Sequence, residues 1–163
     1  MRDKKVLFTV QAAAIAAVYV VLTTVFAPIS FGEVQIRFAE ALTVLPYFTP
    51  AAIPGLFIGC IIGNLTGGAI PLDIICGSLA TLIGAYGSYL LRRTKYLVPL
   101  PPILANTVIV PYVLYYGYGI NLPIPLLMLS VGAGEVISCG VLGLIVLFAL
   151  DKHKYAIFNN MAA

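Results

Sequence analysis

Long apolar runs restrict this chain more than any other feature of its sequence. The first extends from Val6 to Ala27 and ends at Pro28. Three more follow, at Pro71 to Leu91, Pro99 to Tyr118 and Pro125 to Leu150. Each has about the 20 residues that an α-helix needs to cross a bilayer, and only 9% of the 163 residues are charged. We therefore predict an all-α, multi-pass protein of the cell membrane, with a single domain over residues 1–163.

The segment 38–70 is apolar but is interrupted by prolines and glycines. It predicts either two short helices, at about 38–51 and 54–67, or one re-entrant hairpin. Basic residues mark the cytoplasmic side of membrane helices, and here they form three clusters: Arg2, Lys4 and Lys5; Arg92, Arg93 and Lys95; and Lys152 and Lys154. An even number of crossings must separate clusters on one side. Two short helices satisfy this, which gives six transmembrane helices with both termini cytoplasmic.

Polar residues inside or beside these runs are the candidates for a site, and they are Arg37, Glu40, Asn64, Asp73, Asn106 and Glu135. In the predicted topology Arg37 lies in the outer loop after the first run, Asn106 lies deep in its helix, and the acids lie on or inside the outer half of the membrane. An ionisable group in a membrane costs roughly 2.5 to 3.5 kcal/mol on insertion scales, so such groups face one another, water or a ligand. One arginine accompanies four acids, because Glu33 belongs to the same half. Either some of these carboxylates are protonated, or the cavity is built for a cation. With tyrosines at 112–118, the second alternative predicts an outward-facing pocket for a small, planar, hydrogen-bonding cation.

Each of these residues also has a structural interpretation. Arg37 could pair with Glu33 or Glu40 at the lipid headgroups, and the tyrosines could form an ordinary interfacial belt. Asp73, close to Pro71, could cap a helix. An amide such as Asn106 could bond to a neighbouring helix. Glu135 lies deep in a small-residue segment, which favours a ligand or structural-ion role.

The segment "QAAAIAA" in the first run carries a separate signal. It contains two pairs of small residues at a spacing of four, Ala12 with Ala16 and Ala13 with Ala17. Such pairs let helices approach closely in a membrane. They predict either internal packing or a docking face for another membrane protein.

Several kinds of function lack the residues that they need. The sequence has no GxxxxGK[ST], HExxH or GxSxG motif, one histidine, and three cysteines scattered in apolar segments. We therefore predict no ATP hydrolysis by this chain, no metal or other cofactor, and no enzyme activity. The net charge of +3 comes from membrane-flanking clusters and does not indicate nucleic-acid binding. A binding subunit of this kind would need a partner to supply energy.

Four segments together resemble the queuosine-precursor transporter (QueT) family. They are "SFGEVQIRFAEALTVLPYFTPAAIPGLFIGCIIGNL", "GGAIPLDIICGSLATLIGA", "PPILANTVIVP" and "VGAGEVISCGVLG", and the resemblance extends from Gln11 to about Leu150. It implies a substrate-binding S component of an energy-coupling factor (ECF) transporter. Such a component has six helices, a binding site on the extracellular side, and a small-residue stripe on its first helix that docks onto a shared transmembrane subunit coupled to two ATPases.

The resemblance also implies a ligand, a deazapurine and most plausibly aminomethyl-deazaguanine (the preQ1 base). On that hypothesis Glu135 and Glu40 hold the guanine edge or the ammonium, with Asp73 as the third candidate. Arg37 orients these carboxylates or binds the carbonyl oxygen. The remaining candidates are amides that read the ring, Asn64 and Asn106, and loop residues that close over it, Phe31 and Gln35. The alternatives are another vitamin-like ligand, a stand-alone carrier that uses Glu135 as a proton relay, and, least favoured, an intramembrane enzyme.

Overall fold

The computed structural model describes residues 4–30 and 37–154. All regular structure in this part of the chain is helical, which confirms the predicted fold class. The longer elements are α1 (Lys4–Val25), a 3₁₀ helix (Phe38–Tyr47), α3 (Ala52–Thr66), α4 (Pro71–Leu90), α5 (Leu100–Tyr116), α6 (Ile124–Glu135) and α7 (Gly143–Lys152). Two short elements join them, a helical turn α2 (Ala27–Ser30) and a 3₁₀ turn at Lys95–Leu97.

Three stretches of the described chain are long and apolar enough to cross a membrane: Lys4–Val25, Lys95–Tyr116 and Ile124–Lys152. Proline stands at the first or second position of α4, α5 and α6, where its fixed φ favours helix initiation and its missing N–H removes no bond. The predicted helices agree with the observed ones to within a few residues. The chain is therefore a multi-pass membrane protein, while the orientation of its termini stays a prediction.

The segment 38–70 forms two helices, which is the alternative that we favoured over a re-entrant hairpin. The first of them has an unexpected geometry. Phe38–Tyr47 is a 3₁₀ helix with Pro46 inside it. A 3₁₀ helix rises about 2.0 Å per residue, against 1.5 Å in an α-helix. Ten residues therefore extend about 20 Å. Glu40 is the third residue of this helix, and both it and Arg37, which directly precedes the helix, are buried.

Small residues set the contact between α1 and α3. A Cβ atom added to Gly55 would lie 2.7 Å from the Ala12 carbonyl oxygen, and one added to Gly59 would lie 3.1 Å from the Ala16 backbone. The contacts advance in the same direction along both helices, so the two helices are parallel. Of the two predicted alanine pairs, Ala12 and Ala16 thus serve internal packing. Ala13 and Ala17 are exposed, and their docking role stays a prediction.

The remaining helices alternate in direction and close the bundle. Gly84 of α4 packs on Pro102 of α5, and Thr107 of α5 packs on Gly132 of α6. At one end, Asp151 binds the Lys95 Nζ at 2.7 Å and the Lys154 Nζ at 3.3 Å. Two of the predicted basic clusters therefore meet at the same end of the bundle, and the parallel packing of α1 and α3 places Lys4 there as well.

The last predicted span is one continuous helical path that changes type in its middle. A π-helical segment, Val136–Leu142, joins α6 to α7. π-helical turns widen a helix locally and occur often at functional sites. Here the π segment begins directly after Glu135 and contains Cys139.

Candidate functional site

The predicted site residues that the structure describes come together in one buried cluster. None of the six is more than 6% exposed: Arg37, Glu40, Asn64, Asp73, Asn106 and Glu135. They come from the 3₁₀ helix, α3, α4, α5 and α6, so five separate elements contribute to one polar core. Phe31 and Gln35, together with Glu33, lie outside the described residues.

Glu40 lies at the centre of this cluster. Its Oε1 accepts hydrogen bonds from the Tyr19 hydroxyl and, at 3.2 Å, from the Thr81 hydroxyl. Its Oε2 accepts a bond of 3.4 Å from the Asn106 amide. All three donors are neutral. The Glu40 carboxylate is thus solvated by hydrogen bonds, and no cationic side chain is among these donors.

Glu135 lies beside Glu40. The Cys139 thiol is 3.1 Å from the Glu135 Oε2 and 3.4 Å from the Glu40 backbone oxygen. Glu40, Glu135 and Cys139 each offer a donor atom within 4.8 Å of the others. Two oxygens and one sulfur at that spacing could hold a cation, either a metal ion or an organic ammonium.

Arg37 and Asp73 form a second centre in the same cluster. The Arg37 Nη2 lies 3.3 and 3.4 Å from the two Asp73 carboxylate oxygens. The Tyr118 hydroxyl donates to Asp73 Oδ2 at 3.0 Å. Asp73 makes no side-chain cap of α4, so the capping interpretation is wrong. The Arg37 guanidinium is buried against Asp73, whereas its predicted pairing with Glu33 involves a residue outside the described ones and stays a prediction.

Asn64 and Thr81 connect the two centres. The Asn64 amide lies 3.5 Å from the Asp73 backbone oxygen and 3.6 Å from the Cys60 sulfur, and the Thr81 hydroxyl lies 3.4 Å from the same sulfur. Gly77 provides the space for this layer, since an added Cβ would lie 3.1 Å from Asp73 Oδ1 and 3.2 Å from Asn64 Nδ2. The polar residues therefore form one continuous layer through the bundle.

Sequence reasoning missed four residues of this layer: Tyr19, Cys60, Thr81 and Cys139. Tyr19 lies in the first apolar run, where nothing marks it as polar. All four tyrosines of the predicted group are exposed in part at the surface, and of these Tyr118 donates a hydrogen bond to Asp73. A spacing signal does exist for Tyr19, which follows Ala12 and Ala16 on the helix face that packs against α3.

The six described side chains predicted to line the pocket are buried, and they make hydrogen bonds within this layer. Two grooves of about 480 and 450 Å³ lie on the α4–α5 surface, and both have almost entirely apolar linings that contain none of the six site residues. A ligand at the polar layer would therefore have to replace internal hydrogen bonds. The long bonds among them include Arg37 to Asp73 at 3.3 Å, Asn106 to Glu40 at 3.4 Å and Asn64 to the Cys60 sulfur at 3.6 Å.

The charges of the layer are unequal. Three carboxylates, Glu40, Asp73 and Glu135, accompany one guanidinium, Arg37. The guanidinium lies against Asp73, whereas the donors near Glu40 and Glu135 are hydroxyls, an amide and a thiol. A buried charge is costly unless it is paired, and a cation bound between these two carboxyl groups would pair with such a charge.

Comparison with known proteins places the whole described bundle in one family. The sequence model of the QueT transporter family matches residues 9–152. The queuosine precursor transporter QueT of Lactococcus lactis subsp. cremoris (strain MG1363) is 35% identical over 85 residues, which cover 51% of this chain and 50% of that protein. That alignment thus spans about half of the relative's length. No solved structure matches the chain.

Proposed function

We propose a function from the premise that the chain belongs to the QueT transporter family. The chain binds a queuosine precursor within the membrane and takes part in its transport. The observation that carries this proposal is the pair of neighbouring carboxylates, Glu40 and Glu135, which lies deep in the bundle with neutral hydrogen-bond donors.

The finer proposal is that the precursor is cationic, with aminomethyl-deazaguanine as the leading candidate. An ammonium bridges two carboxylate oxygens well when its two N–H···O bonds, each about 2.8 Å long, leave at a tetrahedral angle, which places the oxygens about 4.6 Å apart. One carboxylate oxygen of Glu40 and one of Glu135 lie within 4.8 Å of each other, and both would be acceptors in this arrangement. The Asn106 amide donates a hydrogen bond to Glu40 Oε2. It is therefore close enough to form hydrogen bonds with the polar edge of a ring bound beside Glu40.

Calorimetry on the purified protein in detergent tests the ligand. The probes are aminomethyl-deazaguanine, its cyano analogue, guanine and queuine. Tight binding of the amine, with much weaker binding of the cyano analogue and guanine, is the expected result. Preference for the cyano analogue would contradict the cationic ligand while leaving a queuosine precursor. Preference for queuine, whose secondary amine is also protonated at neutral pH, would keep the cation site and change the ligand assigned to it, and binding of none would contradict the substrate class.

We also propose that transport needs ECF partners, a transmembrane subunit and two ATPases. The support is that the sequence carries no ATP-binding motif of the P-loop type, and that Ala13 and Ala17 leave a smooth exposed stripe on α1. The second candidate is a stand-alone, proton-coupled carrier, which the adjacent carboxylates Glu40 and Glu135 favour. Uptake into liposomes separates them. Uptake that needs the ATPases supports the first, and uptake driven by a proton gradient with this chain alone supports the second.

A further inference from the structure

Tyr19 is the α1 side chain that enters the polar layer. The hydroxyls of Thr9, Thr23 and Thr24, on the same helix, donate to backbone oxygens four residues earlier. The Tyr19 hydroxyl instead donates to the Glu40 carboxylate on another element. Its ring is 1% exposed, so this bond is shielded from water and from lipid.

The position of Tyr19 is fixed by close packing as well as by its hydrogen bond. A Cβ added to Gly59 of α3 would lie 2.9 Å from the Tyr19 Cβ, so the two helices meet directly at this residue. A tyrosine has only two side-chain dihedrals and loses little freedom when it is held. Tyr19 is therefore a rigid donor at a defined point of the bundle.

The hydrogen bonds of Glu40 are distributed unevenly between its two oxygens. Oε1 accepts from Tyr19 and Thr81, whereas Oε2 accepts a long 3.4 Å bond from Asn106. Two hydroxyls on one oxygen, from α1 and α4, fix the rotation of the carboxylate. They leave the more weakly bonded oxygen on the side of α5.

We infer that Tyr19, assisted by Thr81, is a positioning residue that orients Glu40 so that its Oε2 binds the ammonium group of the ligand together with Glu135. This inference rests on the proposed function and deepens it. It assigns the cation site to a Glu40–Glu135 pair whose geometry depends on a helix that contributes no other side chain to the layer among the described residues.

The inference predicts a loss of selectivity rather than a general loss of binding. Tyr19→Phe keeps the ring and its packing but removes the donor, so the Glu40 carboxylate can rotate away. A hydrogen bond to a charged group is worth about 1.5 to 3 kcal/mol, which corresponds to a decrease of at least about tenfold in affinity for the amine. The neutral cyano analogue does not use the cation site, and its affinity should stay unchanged.

The experiment compares the affinities of aminomethyl-deazaguanine and its cyano analogue for the wild-type protein, Tyr19→Phe and Thr81→Val. Tyr86→Phe, which alters an exposed tyrosine on the α4 surface, is the control. A fall in the ratio of the two affinities in Tyr19→Phe, with a smaller fall in Thr81→Val, is the expected result. Thr81→Val also provides the test should Tyr19→Phe not fold.

Three results would overturn the inference. An unchanged ratio in a folded Tyr19→Phe protein would do so, and so would an equal loss for both compounds, which is what a purely structural role predicts. In both cases the wild-type protein still binds the amine and the proposed function stands. Failure of the wild-type protein to bind either compound refutes the proposed function and, with it, the inference.

Discussion

Two acidic centres lie in the same buried layer, and they are neutralised differently. At Asp73 the carboxylate faces a guanidinium and a tyrosine hydroxyl. At Glu40 and Glu135 two carboxylates share a small volume with hydroxyls, an amide and a thiol. The carboxyl groups of both centres are buried, so the difference that matters here is in their partners.

This difference separates a structural role from a binding role. A buried ion pair with its own hydrogen bonds is complete without a ligand, and removal of one partner leaves an uncompensated charge. Two adjacent carboxylates with neutral donors are incomplete, and a cation improves their environment. We therefore assign the Arg37–Asp73 pair to the integrity of the bundle and the Glu40–Glu135 pair to the ligand.

The largest effect is expected from breaking the ion pair. Asp73→Asn leaves the Arg37 guanidinium buried without its carboxylate, which should lower the free energy of unfolding by about 3 to 5 kcal/mol. Thermal unfolding in detergent measures it. Asp151→Asn, which removes the carboxylate of an exposed ion pair, is the matched control and should change little. An Asp73→Asn protein as stable as wild type would remove the distinction between the two centres.

The next largest effect is expected on binding. Glu40→Gln and Glu135→Gln each remove one carboxylate from the crowded pair, so the protein without ligand should lose little or no stability. Affinity for aminomethyl-deazaguanine should fall about 10- to 100-fold, the value of a hydrogen bond to a charged group. Paired unfolding and calorimetry measurements check this. Loss of stability without loss of affinity would show that the acids are structural.

A smaller effect on stability is expected when the space that Gly77 leaves between the two centres is filled. Gly77→Ala would bring a methyl group to 3.1 Å from Asp73 Oδ1 and 3.2 Å from Asn64 Nδ2, closer than ordinary van der Waals contact. Both side chains would have to move slightly, and we expect a loss of about 1 kcal/mol in the free energy of unfolding. Gly140→Ala is the control, since its nearest neighbours would lie at 3.8 Å. Equal stability of the two variants would mean that the layer adjusts easily at Gly77.

The smallest effect on the isolated protein is expected on the outer face of α1. Ala17→Leu enlarges an exposed residue, so stability and ligand affinity should stay at wild-type values. Co-purification with ECF subunits should be lost if this stripe is the docking face. Ala16→Leu enlarges the residue that packs on Gly59 and should destabilise the bundle. Undiminished co-purification of Ala17→Leu would exclude this face as the docking site.

The sequence predicted much of this arrangement because the bilayer leaves few alternatives. Apolar runs of about 20 residues must form helices, and polar groups among them must meet one another. That reasoning correctly brought together Glu40, Asn64, Asp73, Asn106 and Glu135. It also left open whether the alanine pairs of α1 pack internally. In the structure Ala12 and Ala16 pack against α3, whereas Ala13 and Ala17 are exposed on the outer face of α1.

Other features depend on contacts between distant residues and could not be predicted. The choice of Asp73 as the partner of Arg37 arises from the 3₁₀ geometry of Phe38–Tyr47, which the composition of that segment does not specify. The π segment Val136–Leu142 depends likewise on packing. Tyr19 was missed because a tyrosine in an apolar run is usually interpreted as a hydrophobic core residue. Its spacing from Ala12 and Ala16, on the face that packs against α3, was the available signal.

The most direct test of the central claim is calorimetry of aminomethyl-deazaguanine and its cyano analogue on wild-type, Glu40→Gln, Glu135→Gln and Asp73→Asn proteins. We predict that the wild-type protein prefers the amine. Both glutamate variants should lose that preference, and the folded fraction of Asp73→Asn should keep it. Preference that survives both glutamate variants and disappears in Asp73→Asn would contradict the account, because the cation site would then lie at Asp73.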